Sequence, residues 1–239
     1  MLPRAAIVAS KTIGPSQEIE FMRIVLDSIR MEARLPQDKL SRTYDLLTSF
    51  KKRRFVRLVE LQSLIGTLQF ACKVVVLGRP FLQRAINSTK GVSSRFHHIR
   101  LNKEIFKDLD MWKVFLSKWN GCSLLLESST TPTPDLELYT DAASSVGFGG
   151  YFQGKWFQGH WPPHLLLNRE QGISIGWQEL FPIVVACAMW HSLFIRKRLQ
   201  FWCDNKSVVS IINSGQSKGP WSWNWLESLF SYLWNIIFS

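Results

Sequence analysis

Three carboxylates in this 239-residue chain stand where such groups can do chemistry: Asp141, Glu179 and Asp204. Asp141 ends a short apolar run, Leu138 to Thr140, which reads as a strand. Two small residues, Ala142 and Ala143, and a Ser-Ser turn come next. Gly147, Gly149 and Gly150 lie in a second apolar run, as if a hairpin returned antiparallel to the first. Glu179 belongs to WQELFPIVVACAMW, Trp177 to Trp190, whose apolar residues recur too densely for a one-faced surface helix, so it reads as a buried one. Proline is tolerated near a helix start, so Pro182 puts Glu179 in or just before the first turn. Asp204 follows an apolar strand, Leu199 to Cys203, and precedes a helix from about Ser207 to Asn213 closed by Ser214-Gly215.

Charge is the chemical reason to want three carboxylates together. Hard divalent cations such as Mg²⁺ or Mn²⁺ are held by oxygen ligands, a few carboxylates plus water and substrate phosphates. Two such ions roughly 4 Å apart activate a water and stabilise a leaving oxygen in phosphodiester hydrolysis. Singly, each acid has an ordinary explanation. Asp141 and Asp204 suit turns, and Glu179 suits the positive end of a helix. Together, in the order strand-Asp, hairpin, helix-Glu, strand-Asp, helix, the metal reading is favoured.

YTDAASSVGFGGYFQGKWF, WQELFPIVVA and FWCDNKSVV resemble the ribonuclease H domain of retroelement polyproteins, and within it the DIRS-type (tyrosine-recombinase) retrotransposons. The resemblance implies an α/β fold, a ribonuclease H-like mixed sheet flanked by helices. It matches Asp141, Glu179 and Asp204 to the first three catalytic and metal-binding acids of the family, with two Mg²⁺ (or Mn²⁺) ions expected. The family's fourth acid lies on a later helix, whereas the last acidic residue here is Glu227. The expected activity is metal-dependent endonucleolytic cleavage of the RNA strand of an RNA–DNA hybrid, recognised through backbone shape and 2′-hydroxyls. The alternatives are a catalytically inactive nucleic-acid-binding remnant and, on a related scaffold, an integrase or exonuclease.

The rest of the chain must position and supply that site. Residues 1–130 carry 22 Lys and Arg against 11 Asp and Glu, while residues 131–239 carry 7 of each kind. The basic part therefore expects a polyanion, with the resemblance specifying a hybrid or template–primer duplex. Residues 1–35 resemble the end of a reverse transcriptase palm, with Ile19, Phe21, Ile24 and Leu26 in a two-stranded hairpin and Asp27-Ser28 as a turn. The family has Gly where Arg23 stands. Its polymerase acids lie upstream, so no polymerisation is expected of this chain. Residues 36–127 resemble the mainly helical thumb and connection: Leu40, Tyr44, Leu47 and Phe50 at helical spacing, then one long helical stretch from Val59 to Ile86. Lys51, Lys52, Arg53, Arg54, Lys73 and Arg79 are the expected phosphate contacts. For any single lysine a solvated turn is the first reading, for the cluster phosphate contact is, and KKRR could instead be a nuclear localisation patch. Ile105, Leu109, Trp112, Phe115 and Leu116 repeat at helical spacing and read as core packing, with stacking on bases as the lesser option.

A linker is expected over 128–136, Ser/Thr/Pro-rich, and the ribonuclease H-like domain over 137–239. His164 to Gly176 has no period and reads as a loop, and Trp221 to Ile237 reads as a helix and the start of a strand. His97 and His98 read as ordinary polar loop residues, and His160 as structural, with an approach to the metal site as the lesser option. Cys72, Cys122, Cys187 and Cys203 show no paired spacing, which fits small core residues in a reducing intracellular compartment and suggests no zinc site. No run is long enough to span a bilayer, and no membrane partner is expected.

Overall fold

The computed structural model describes residues 14–118, 121–123, 136–161, 163, 166, 174–194, 197, 199–215 and 229. Most of the expected linker and of the 164–173 and 221–237 stretches lies outside them. The fold is α/β, as expected, with a mixed sheet and helices following a mainly helical part.

The described residues begin with β1 (Glu18–Phe21), β2 (Ile24–Asp27) and β3 (Glu32–Arg34), a meander that takes its fourth strand from β6 (Cys122–Ser123). Two hairpin turns are present where the pattern predicts one. Met22 and Arg23 form the first, both with left-handed φ of 49° and 65°. The second follows Asp27, whose carboxylate accepts the Ile29 and Arg30 N–H groups at 3.0 and 2.9 Å and the Arg34 guanidinium at 2.8 Å. The Arg30 N–H and then the Arg34 guanidinium hold the Asp27 carboxyl below its ordinary range. A two-residue turn with both φ values positive favours glycine. Arg23→Gly is therefore expected to raise stability by about 1 kcal/mol, measured as a higher urea midpoint at constant m-value. An unchanged or lower midpoint would refute the strain.

The helical part comprises α1 (Gln37–Lys51), β4 (Phe55–Arg57), α2 (Leu58–Ala71), α3 (Gln83–Ser88), β5 (His98–Arg100) and α4 (Lys103–Lys118). Leu47 and Phe50 of α1, and Ile105, Leu109, Trp112, Phe115 and Leu116 of α4, are all buried as their spacing predicts. Trp112 is fully enclosed and packs edge-on against Phe115, so it offers no ring to a base. The expected long helix after Val59 breaks at Ala71. It gives way to 3-10 turns at Val76–Gly78 and Pro80–Leu82 before α3. Three consecutive β-branched residues, Val74 to Val76, then Gly78 and Pro80, account for the break. His98 lies in β5, paired with Arg57, rather than in a loop.

The second sheet has the order β10-β7-β8-β9: β7 (Leu136–Ala143), β8 (Gly147–Phe152) and β9 (Lys155–His160) form an antiparallel meander, and β10 (Leu199–Trp202) lies parallel to β7. Between β9 and β10 runs α5 (Ile175–Phe194), packed on β7 and β8. After β10 comes α6 (Lys206–Ser214), closed by Gly215 in the left-handed conformation, as expected. Burial in β7 alternates strictly. Leu136, Leu138, Thr140 and Ala142 face the core and Glu137, Tyr139 and Asp141 face out. One apolar core joins Leu47, Leu68 and Trp112 to Leu138, Ile183 and Phe194 across the two parts. Among the described residues no helix is long and apolar enough to cross a membrane.

Candidate metal centre

Each of the three acids arrives on a different element. Asp141 lies within β7 rather than at its end, opposite Gly149 of β8, because the pairing with β8 continues to Ala143↔Gly147 before the turn. Its Oδ1 accepts the Ala142 N–H at 2.9 Å. Glu179 is the fifth residue of α5, not in or before the first turn, and Pro182 lies inside the helix. The helix starts early because Ser174 caps it: the Trp177 N–H lies 3.3 Å from Ser174 Oγ and 3.0 Å from its carbonyl. Pro182 leaves the Gln178 carbonyl without its helical donor, and the surrounding burial on several sides of α5 carries the helix through. Asp204 sits directly after β10. The next residue, Asn205, caps α6 by accepting the Ser207 and Val208 N–H groups at 3.0 and 3.2 Å, which fixes the turn that carries Asp204.

An aromatic box holds the first half of α5 against the hairpin. Phe148, Trp161, Trp177 and Phe181 pack with ring centroids 4.7 to 5.8 Å apart. The Trp161 indole N–H donates to the Ala143 carbonyl at 2.8 Å, and the Gln178 amide donates to the Ser144 carbonyl at 3.1 Å. Both tie the β7–β8 turn to its surroundings. His160 lies 3.3 Å from the Val146 carbonyl through Nδ1, consistent with its structural reading.

Glu179 is 5% exposed, and its Oε2 has no hydrogen-bond partner among the described residues. Burial pushes its carboxyl up to about 7, and the nearby charges of Asp204 and Asp141 push the same way. The Ala142 N–H works against them. A carboxylate oxygen of Glu179, one of Asp204 and the Cys203 sulfur lie within 4.8 Å of one another, a grouping able to hold a metal ion. Asp141 is outside that triplet, but it shares with Cys203 and Asp204 an open groove of about 650 Å³. The donor set fits a divalent cation: two carboxylates converge with an enclosed, unpartnered oxygen that wants a positive charge. Cys203 was the residue missed by sequence reasoning, which treated all four cysteines as packing. Its position directly before Asp204 was the available signal.

The groove has a second feature that escaped the sequence reading. Trp202, Tyr139, Tyr151 and Trp156 are direct register partners across all four strands, one aromatic from each. They are 46%, 44%, 50% and 67% exposed, and the Tyr139 and Trp202 rings lie parallel, 6° apart in plane with centroids at 6.1 Å. Asp141 is two residues beyond Tyr139 on β7, and Asp204 is two beyond Trp202, so the row borders the acids.

The expected phosphate contacts are scattered in their engagement. Both terminal nitrogens of Arg53 bond to Glu60 at 2.8 Å, and this pair, with the Arg57 N–H, draws the Glu60 carboxyl down to about 2. Lys51 pairs with Asp110, Lys73 lies over the Phe70 ring, and Arg79 donates to the Ser214 carbonyl at 3.4 Å. Lys52 and Arg54 are exposed and have no ion-pair partner among the described residues.

No protein-family model matches the chain, and no curated protein matches it significantly. Among solved structures, it is similar to a foamy viral protease-reverse transcriptase in complex with double-stranded DNA, at 14% identity and a TM-score of 0.38 over 90% of this chain and 36% of that one. It is also similar to a foamy viral protease-reverse transcriptase in complex with an RNA/DNA hybrid, at 15% identity and a TM-score of 0.38 over 91% of this chain and 28% of that one. The chain thus spans about a third of the length of these structures.

Proposed function

We propose that this chain is part of a DIRS-type retroelement reverse transcriptase, its thumb and connection followed by a ribonuclease H domain, and that Asp141, Glu179 and Asp204 form a centre for hydrolysis of the RNA strand of an RNA–DNA hybrid. The observation that carries this reading is that Asp141 of β7 and Asp204 after β10 line one groove while the charges of both act on Glu179 of α5, whose enclosed oxygen has no hydrogen-bond partner among the described residues. Bound divalent cations would supply an activated water and stabilise the leaving oxygen.

The protein's own part is to hold the acids in place. Asp141 and Asp204 line the open groove, and Glu179 stands buried behind them, a carboxylate oxygen within 4.8 Å of one of Asp204. The aromatic row beside them offers ring faces for bases, and stacking of that kind is worth about 1–3 kcal/mol per base. Of the six expected phosphate contacts, Lys52 and Arg54 are best placed to meet phosphates, because they are exposed and have no ion-pair partner among the described residues.

Cleavage of a labelled hybrid with Mg²⁺ or Mn²⁺ tests the reading. Metal-dependent cutting of the RNA strand, reduced at least about a hundredfold in Asp141→Asn, is the expected result. A second reading is a nucleic-acid-binding protein with an incomplete centre, which is favoured by Asp141 standing outside the Glu179–Cys203–Asp204 triplet. It predicts salt-sensitive hybrid binding with no cutting.

A further inference from the structure

The Glu179–Cys203–Asp204 triplet is chemically different from the three-acid set. A thiol in place of a carboxylate changes which cations the site prefers, because sulfur ligands select Zn²⁺ and softer ions, whereas carboxylates alone suit Mg²⁺ and Mn²⁺. We propose that Glu179, Cys203 and Asp204 form a binding site for a thiophilic divalent cation of the Zn²⁺ or Cd²⁺ class, overlapping the hard-cation centre at Glu179 and Asp204.

Three observations carry it. The three ligand atoms lie within 4.8 Å of one another. Zinc bonds of about 2.0–2.3 Å to oxygen and sulfur bring ligand atoms to roughly 3.5 Å apart, so closure needs about 1 Å of side-chain movement. Second, Glu179 is 95% buried and its Oε2 has no hydrogen-bond partner among the described residues, which is the state of a ligand oxygen rather than that of a solvated surface acid. Third, Cys203 and Asp204 both line the groove, which leaves an entry path and an open coordination position on the solvent side. Cys203 is half-buried, whereas Cys187 is enclosed in the apolar core and has no such neighbours among the described residues.

Binding is balanced simply. The cation takes the Cys203 sulfur as thiolate, and the thiol proton leaves to solvent, so binding weakens as pH falls. A thiophilic cation also competes with Mg²⁺ for two shared ligands. The inference goes beyond the nuclease reading and does not depend on cleavage.

Cadmium titration of the full chain tests it, followed by the ultraviolet thiolate-to-Cd²⁺ charge-transfer band, with no nucleic acid present. One equivalent of Cd²⁺ is expected to develop the band in the parent protein. Cys203→Ser should abolish it. Glu179→Gln, which keeps the thiol, should weaken Cd²⁺ binding at least about tenfold. Far-ultraviolet circular dichroism checks that both variants fold. Overturning results are no band in the folded parent, a band that survives Cys203→Ser, or undiminished affinity in Glu179→Gln, which would leave a solitary thiol as the ligand. Hybrid that stays uncut while the Cd²⁺ results hold would refute only the nuclease reading.

Discussion

Replacing Glu179 by glutamine is expected to stabilise the metal-free protein at neutral and alkaline pH while removing a metal ligand. In the folded chain burial, aided by Asp204 and Asp141, pushes the Glu179 carboxyl from its ordinary 4.5 to about 7. The folded state then holds a proton that the unfolded state has already released between those values, so stability falls as pH rises from about 4.5 through 7 and is flat above. At about 1.4 kcal/mol per tenfold change in proton activity, the full loss is about 3 kcal/mol. Urea unfolding in chelator at several pH values measures it. The parent should lose midpoint across that window. Glu179→Gln should lack this component and be the more stable protein above pH 7. Saturating divalent cation should reverse the parent's slope, since a ligand that binds only the folded state stabilises it. A parent protein whose stability is flat from pH 4.5 to 7 would show that Glu179 is an ordinary solvated acid.

Gly147→Ala should cost about 3 kcal/mol, at the upper end of the range for overpacking. A Cβ at this position would sit 2.0 Å from the Gly159 carbonyl oxygen and 3.1 Å from the His160 Cα, both backbone atoms that no rotamer change can move. Relief requires β8 and β9 to separate just beyond the Ser144–Val146 turn, and Asp141 sits opposite Gly149 on the same hairpin. The damage should therefore reach the site: cation affinity falls along with stability. Gly66→Ala is the matched comparison. Gly66 is exposed in the interior of α2 with nothing within 4 Å of the added carbon, so the same substitution there should gain about 1 kcal/mol. Thermal or urea melts of the two variants should move in opposite directions. Equal destabilisation would mean that the close approach of β8 to β9 is not real.

Local signals in the sequence were strongest where one residue type has one physical job. Gly215 ends α6 because the left-handed cap favours glycine, and the apolar run Leu138 to Thr140 marked β7, although the strand continues through Asp141 to Ala143. The spacing of Leu109, Trp112 and Leu116 buries one face of α4. Pro182 misled, because a rule drawn from isolated helices puts proline near the start, whereas tertiary packing around α5 holds it in the interior and moves Glu179 with it. The four-strand aromatic row could not be read locally, since it arises from strand pairing, and although Cys203 stands beside Asp204, its approach to Glu179 comes from the packing of α5. Charge counts likewise marked a basic half. They could not say that Arg53 is spent on Glu60 while Lys52 and Arg54 face solvent.

The parallel pairing of β10 with β7 bears on the order in which the protein is made. The β7–β9 meander closes through turns of a few residues, so Asp141 and most of its sheet can form from local contacts. The partners Leu136 and Leu199 are 63 residues apart, and they meet only after α5 has crossed over. Loop closure over that span is the slow, entropy-limited joint of the domain. Glu179, Cys203 and Asp204 all arrive with it. During synthesis the chain therefore passes through a stage that carries an ordered hairpin and no cation site, and a population that slips back across that joint loses metal affinity while keeping most of its strands.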